Sequence, residues 1–280
     1  MTSYQPRTER AAEFADAVAA RPGDVLLAMD FDGTLSPIVP NPEDSRMLPA
    51  AAEALAALGP VVGTVAILTG RGVATVRELG RLDRRPGLER VVVLGQYGAE
   101  RWDAATGEET PPEVPAAIAA ARPEIEALLT DQVFDGVRLE DKGRALGVHA
   151  RPAAQPGAAY AALAGPLRQI AERHGLVLEP GRSVLELRAS SLTKGDALRA
   201  LVAERGATVV AMCGDDLGDL PAFDALDALR ADGIVTCAVV SASAEQPALA
   251  DRADVLCTGP EGVAAWLTAL AHTLGARPLS

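Results

Sequence analysis

Residues 25–29 read Val-Leu-Leu-Ala-Met, five apolar residues without a polar interruption, and runs of the same kind return at 61–68, 91–94 and 209–213. A strand with one wet face alternates apolar with polar side chains. A strand that is apolar throughout has to be covered on both faces, as in a parallel sheet flanked by helices. Helix-compatible stretches separate these runs: 8–20, closed by Arg21-Pro22-Gly23; 48–58, with Pro49 in a first-turn position; 73–79; and 195–204. Further strands are expected at 234–240 and 255–257, and a last helix over 263–274. Such alternation predicts an α/β fold with a Rossmann-like parallel sheet core and helical crossovers.

The pattern changes near residue 102. A polar, Pro-rich stretch (102–115) leads into a helix over 116–129. Two pairs of short alternating segments follow, 136–140 with 145–149 and 176–179 with 183–188, with a helix over 157–174 between them. The connectors Asp141-Lys142-Gly143-Arg144 and Pro180-Gly181-Arg182 are turn-like, so each pair is expected to be an antiparallel hairpin. Residues 1–101 and 190–280 are therefore expected to form the core, with 102–189 an inserted α+β cap domain.

Composition narrows the partners. The chain carries 26 basic and 38 acidic residues for a net charge of −12, and only 3% aromatics. That balance argues against a nucleic-acid or anionic-membrane partner, and few rings are available for base stacking. Cys213, Cys237 and Cys257 are widely spaced, in or beside apolar runs, and are expected to be buried free thiols, which suits a reducing cytoplasm. There is no basic-then-apolar leader pattern and no run near 18 apolar residues, so neither a secretion signal nor a membrane span is expected. A monomer is expected, since no long amphipathic seam stands out.

Chemistry is concentrated where strands are expected to end, the place where open α/β sheets bind ligands. Asp30-Phe31-Asp32-Gly33-Thr34-Leu35 follows the first apolar run, and Gly214-Asp215-Asp216-Leu217-Gly218-Asp219 follows the run at 209–213. Taken alone, the first is compatible with an ordinary Asp-Gly turn. Two acidic clusters at two strand ends are costly unless a cation sits between them. Oxygen-only ligands suit Mg²⁺ better than zinc. Thr69-Gly70-Arg71 offers a hydroxyl and amides where a helix begins, although Thr69 taken alone reads first as a plain helix cap. Lys194 stands at a strand-to-helix junction, in a position also open to a surface lysine. Together these pieces fit phosphoryl transfer, in which one carboxylate attacks phosphorus, a second moves protons, and a hydroxyl and a lysine hold the equatorial oxygens.

DFDGTL at 30–35, the Thr at 69, the Lys at 194 and GDDLGD at 214–219, in that order, resemble the haloacid-dehalogenase-like phosphatases. The resemblance implies that Asp30 is the nucleophile, Asp32 the general acid/base, Thr69 the phosphate-binding hydroxyl and Lys194 the lysine that steadies both. It further implies Mg²⁺ ligation by Asp30, by the backbone carbonyl of Asp32 and by Asp215, with Asp219 a supporting acid. A narrower resemblance is to the trehalose-6-phosphate phosphatase family, whose cap closes over the sugar. Gly95-Gln96-Tyr97-Gly98-Ala99-Glu100 is similar to that family's Gly-x-x-Gly-x-Glu. Glu140-Asp141-Lys142 with His149-Ala150-Arg151 is similar to its Glu-x-Lys…His-x-Arg, and Glu186-Leu187-Arg188 to its Glu-x-Arg. The chain departs where the family continues GDD-x-Thr-Asp-Glu, having Gly218 and Leu220 on either side of Asp219.

The expected substrate-binding residues are Gly70, Arg71, Glu140, Lys142, His149, Arg151, Glu186 and Arg188. In a hairpin, alternation puts i and i+2 on one face, so Glu140 pairs with Lys142 and Glu186 with Arg188. Solvated surface ion pairs are the other reading of those pairs. The resemblance implies Mg²⁺-dependent release of phosphate from trehalose 6-phosphate through an aspartyl-phosphate, with a small-molecule sugar phosphate as the partner. Open alternatives are sucrose phosphate, mannosyl phosphoglycerate or a hexose phosphate as substrate, a phosphomutase, and a catalytically silent sugar-phosphate binder.

Overall fold

The structure is a computed structural model and describes residues 3–110, 114–181, 183–189, 191–242 and 247–276. In chain order the elements are β1 (Tyr4–Pro6), α1 (Glu9–Ala20), β2 (Val25–Met29), α2 (Pro49–Leu58), β3 (Thr64–Leu68), α3 (Val73–Gly80), β4 (Val92–Gly95), β5 (Glu100–Asp103) and β6 (Glu108–Glu109). Then come α4 (Ala116–Leu128), β7 (Arg138–Asp141), β8 (Ala145–His149), α5 (Pro156–His174), β9 (Val177–Gly181) and β10 (Val184–Arg188). The chain closes with α6 (Lys194–Arg205), β11 (Val209–Gly214), α7 (Leu220–Ala231), β12 (Val235–Ala242), β13 (Val255–Thr258) and α8 (Gly259–Thr273). Two compact units result, Met1–Thr110 with Leu192–Ser280, and Pro111–Ser191. Among the described residues no helix is long and apolar enough to cross a membrane.

The first unit is built on one sheet in the order β1-β13-β12-β11-β2-β3-β4-β5-β6. The strands from β13 to β4 pair in parallel, and β1, β5 and β6 are added antiparallel at the two edges. Successive residues of the central strands feed opposite cores. Val25, Leu27 and Met29 join the cluster containing Phe14, Leu55 and Leu267, while Leu26 and Ala28 join the one containing Leu198, Phe223 and Leu226. This double coverage is why β2 is spelled in apolar residues throughout. Each fully buried Leu contributes about 2 kcal/mol. The three cysteines are free and buried, as expected, and burial pushes the Cys257 thiol up to about 12.

The second unit is a four-stranded antiparallel sheet, β7-β8-β10-β9, with α4 and α5 against one face. Leu146, Val148, Leu185 and Leu187 point into that interface with Ile118, Ile125, Leu163 and Leu167. The other face carries the polar residues of the same strands. In the register, Glu140 and Glu186 both stand opposite Gly147, and Glu179 stands opposite Glu186.

Several boundaries differ from the expectation. The core does not end at 101: β5 runs antiparallel to β4 through Trp102 and Asp103, and the division falls at Thr110/Pro111. Trp102 is buried beneath the Arg77 guanidinium, 4.4 Å from its ring centroid, and the buried Asp103 is held by Arg101 and Arg205. Those contacts draw a polar segment onto the sheet edge. The second strand begins at Thr64 rather than 61, and α8 begins at Gly259 rather than 263. Helix α7 and the edge strand β1 were not foreseen. Arg182 of the expected second turn, residues 111–113 of the Pro-rich stretch, and Ser190 at the expected return to the core lie outside the described residues.

Candidate active site

The carboxyl ends of β2 and β11 lie side by side, because the two strands pair in parallel with Met29 opposite Cys213. The Asp30 amide continues that pairing by donating to the Cys213 carbonyl at 2.8 Å. The chain then turns at Gly33, whose φ of 74° lies in the left-handed region. A Cβ there would stand 2.1 Å from Asp215 Oδ2, so the turn requires a residue without one. The turn is closed by Gly33 N donating to the Ser36 carbonyl at 2.8 Å and by Ser241 Oγ donating to the Gly33 carbonyl at 2.6 Å.

Lys194 is the first residue of α6. A capping box sets it there: Asp196 N donates to Thr193 Oγ1 at 3.2 Å, and Thr193 N donates to Asp196 Oδ2 at 3.0 Å. Its ammonium lies 2.7 Å from Asp30 Oδ1 and 2.7 Å from Asp219 Oδ1, and all three side chains are buried. The second oxygen of Asp219 accepts from the amides of Asp215 at 2.9 Å and Asp216 at 3.2 Å, which fixes the loop after β11. Gly214 carries no side chain because a Cβ would stand 2.4 Å from Asp219 Cγ. Thr34 Oγ1 donates to Asp215 Oδ1 at 3.3 Å.

The electrostatics are those of a site short of positive charge. Burial pushes the Asp30 carboxyl well above its usual range; Lys194 opposes this, while Asp219, Asp215 and Asp216 add to it. Burial, Asp219 and Asp216 likewise raise Asp215 to about 8 against the pull of Lys194. Burial alone would lower the Lys194 ammonium, but Asp219, Asp30 and Asp216 outweigh it and hold that group well above its ordinary value. Asp30, Asp215 and Asp219 each present an oxygen, all within 4.8 Å of one another. A buried, oxygen-only donor set with more carboxylates than cations fits a hard divalent ion.

Asp32 faces elsewhere. Arg71 donates Nε to Asp32 Oδ2 and Nη2 to Asp32 Oδ1, each at 2.6 Å, and Ser45 Oγ donates to Oδ1 at 3.0 Å. The Asp32 side chain is therefore not part of the acidic cluster, and its expected metal contact rests on its backbone carbonyl alone. Thr69 is the first residue after β3, with its hydroxyl accepting from Arg71 N at 3.1 Å. Glu100 Oε2 accepts from Val73 N at 2.8 Å and so caps α3. Sequence reasoning did not single out Ser45 or assign Glu100 a partner. Ser45 lies 13 residues beyond Asp32 with nothing in its surroundings to mark it.

In the second unit, Lys142 Nζ donates to Glu186 Oε2 at 2.6 Å and His149 Nε2 lies 2.7 Å from Glu140 Oε2. Arg188 Nη1 is 3.8 Å from Glu179 Oε2. Glu140, Lys142, His149, Glu186 and Arg188 are thus gathered on or beside the open sheet face. Arg151 is not among them: it is exposed in the turn beyond β8, because the strand ends at His149. Glu186 Oε1 is buried and has no hydrogen-bond partner among the described residues.

A mostly parallel sheet with facing acidic loops at the ends of β2 and β11 and an α+β insertion is an α/β class of fold, and the chain shares its fold with a haloacid dehalogenase-like hydrolase from Bacteroides thetaiotaomicron (TM-score 0.56, 16% identity, covering 88% of this chain and 98% of that one). The family model described as Trehalose-phosphatase matches residues 28–254, and the chain belongs to that family. It is 33% identical over 230 residues to the trehalose-phosphate phosphatase of Mycobacterium tuberculosis (strain ATCC 25618 / H37Rv), a match covering 79% of this chain and 56% of that protein. The chain spans about half the length of the curated relatives it matches. Among solved structures, the C-terminal domain of the C. albicans trehalose-6-phosphate phosphatase superposes with a TM-score of 0.72 at 18% identity, covering 97% of this chain and 99% of that one. A trehalose-6-phosphate phosphatase related protein gives 0.68 at 21% identity, covering 88% and 97%. These structural likenesses speak to the fold.

Proposed function

We propose that the chain is a Mg²⁺-dependent phosphatase that hydrolyses trehalose 6-phosphate to trehalose and inorganic phosphate. The observation that carries this reading is the position of Asp30, 2.7 Å from Lys194 and within reach of the Asp215 and Asp219 carboxylates. In the first step an Asp30 oxygen attacks phosphorus, the bond from phosphorus to the sugar oxygen breaks, and Asp32 delivers a proton to that oxygen. In the second, water attacks phosphorus and gives a proton to Asp32, and the bond to Asp30 breaks. Thr69 and Lys194 hold the equatorial oxygens.

Asp30, Asp215 and Asp219, with the backbone carbonyl of Asp32, are the groups that would hold Mg²⁺. The bound ion supplies the positive charge that lets an anionic ester approach these carboxylates. Both oxygens of Asp32 are gripped by Arg71, so proton delivery requires that fork to open; the phosphate offers Arg71 a competing anion. Sugar recognition falls to the open face of the second unit. There the unpartnered Glu186 Oε1 is an acceptor that a sugar hydroxyl would satisfy, and a buried polar site left unpaired rejects analogues.

The test is phosphate release from trehalose 6-phosphate, sucrose phosphate, a mannosyl phosphoglycerate, a hexose phosphate and an aryl phosphate, with and without Mg²⁺. The highest kcat/KM should fall on trehalose 6-phosphate, and chelation should stop turnover. Preference for another ester would change the substrate. No metal-dependent release from any ester would end the enzyme reading.

A further inference from the structure

The corner between β4 and β5 holds three consecutive residues in the left-handed region: Gln96 (φ 49°), Tyr97 (φ 60°) and Gly98 (φ 98°). Non-glycine residues keep such a conformation only where their surroundings enforce it, and they cluster where geometry has a use. Here the corner takes up every carbonyl of the Thr69-Gly70-Arg71 segment. Tyr97 N donates to the Thr69 carbonyl at 2.9 Å, Gln96 Nε2 to that of Gly70 at 3.0 Å, and Gln96 N to that of Arg71 at 2.9 Å. Gln96 is buried, and the Tyr97 hydroxyl would lie 2.9 Å from a Cβ on Gly70, so the ring covers that residue.

Across a planar trans peptide, the carbonyl of one residue and the N–H of the next point to opposite sides. No peptide bond is cis among the described residues. With three carbonyls turned toward the Gln96–Tyr97 corner, the N–H groups of Gly70, Arg71 and Gly72 are turned away from it. The Arg71 N–H accordingly meets Thr69 Oγ1 at 3.1 Å. Successive amides aimed to one side form a concavity suited to an anion. The same corner braces α6, since a Cβ on Gly98 would come 2.8 Å from Ala197 Cβ, one turn after Lys194.

We infer that Gln96 and Tyr97 are positioning residues for phosphate: they lock the peptide planes of Thr69–Gly72 so that the Gly70 and Gly72 amides face the phosphoryl group together with the Thr69 hydroxyl, which the Arg71 amide orients. The inference rests on reading Thr69–Arg71 as the phosphate-binding segment. Neither residue touches the ester. Their effect reaches it through the orientation of the segment they hold.

The test is the affinity of the whole 280-residue chain, in Mg²⁺, for inorganic phosphate, by calorimetry and as a competitive inhibition constant against an aryl phosphate. Gln96→Met keeps the length of the side chain and removes its donor. Gln96→Gly removes the same donor and also relieves the left-handed strain, so a fault of folding in one is checked by the other. Both variants should weaken phosphate about tenfold and raise KM for the aryl phosphate in proportion, with a smaller fall in kcat. Thr69→Val should weaken phosphate as well. If Thr69→Val weakens phosphate while both Gln96 variants bind it normally, the positioning role is overturned and the phosphate segment stands. A lowered Tm with an unchanged phosphate constant would likewise overturn it, as a merely structural role. If none of the three variants alters phosphate binding, the segment is not the phosphate site, and the inference falls with that reading.

Discussion

Arg71 holds Asp32 by both carboxylate oxygens, Nε on Oδ2 and Nη2 on Oδ1, each at 2.6 Å, and thereby ties the segment after β3 to the turn after β2. The pair is partly exposed, with side-chain accessibilities of 17% and 36%, so it contributes only about 0.5–1 kcal/mol to stability. Its weight lies in positioning. Arg71→Ala should shift the urea midpoint slightly but lower kcat/KM about a hundredfold, since both the proposed phosphate ligand and the tether of Asp32 are lost. Unchanged kcat/KM would remove Arg71 from the site.

Among the described residues Lys194 is the cation paired with both the Asp30 and Asp219 carboxylates, and it is as buried as they are. Removing it leaves two buried acids without their counter-charge. Lys194→Met should therefore cost about 3–5 kcal/mol in chemical denaturation and abolish turnover. Added Mg²⁺ should recover part of the stability and none of the activity. A variant as stable as the parent without metal would contradict the placement of these charges.

The turn at Gly33 is expected to tolerate no side chain. Gly33→Ala meets a positive φ and also drives a Cβ to within 2.1 Å of Asp215 Oδ2. Gly206→Ala provides the comparison, having a similar φ of 62° with nothing within 4 Å of the added atom. The Gly206 change should cost about 1 kcal/mol. The Gly33 change should cost more and also weaken Mg²⁺ binding, measured by calorimetry. Equal costs with unaltered metal affinity would mean that the Gly33–Asp215 contact is unimportant.

Asp215 stands at about 8 because burial, Asp219 and Asp216 disfavour its charge. A carboxyl raised above its unfolded value of about 3.9 favours the fold while it keeps its proton. That contribution is complete below about pH 4 and is lost as the pH climbs through about 8. A divalent ion displaces the proton and reverses the trend. Mg²⁺ should thus raise Tm little near pH 5 and most above about pH 8, and metal-free Asp215→Asn should show a shallower decline than the parent, because the raised Asp30 and Asp216 carboxyls still titrate. A Tm shift by Mg²⁺ that does not vary with pH would speak against this titration.

In the second unit, Glu186→Ala removes both the partner of Lys142 and the buried Oε1. KM for trehalose 6-phosphate should rise about tenfold, with little change for an aryl phosphate that has no sugar to recognise. Equal effects on both esters would take this face out of sugar recognition.

Much of the first unit was legible because central strands such as β2 and β11 are buried on both faces and so are spelled in nearly uninterrupted apolar residues. The acidic turns were legible for the opposite reason: Asp30 and Asp215 stand where apolar runs stop. What escaped was set by contacts distant in sequence. β5 is polar, and it joins the sheet through Asp103 paired with Arg205, 102 residues away. β1 is three exposed or half-buried residues ending in Pro6, held by pairing with β13 and by Tyr4 packed against the core. The Asp32–Arg71 fork spans 39 residues, so spacing alone could nominate both residues for the site but not as partners. Arg151 is nominated by the resemblance to the His-x-Arg pattern, but the strand that carries His149 ends there, so alternation along the strand does not extend to Arg151.

If Asp30 is the group that attacks phosphorus, the phosphoryl group must reside on it between the two steps. Acid quenching during turnover of trehalose 6-phosphate with Mg²⁺, followed by mass analysis of the peptide carrying Asp30, tests this most directly. The predicted result is one phosphoryl group on that peptide in the parent chain, none in Asp30→Asn, and no phosphate release by that variant. Release at the parent rate from Asp30→Asn, with the peptide unmodified throughout, would contradict it.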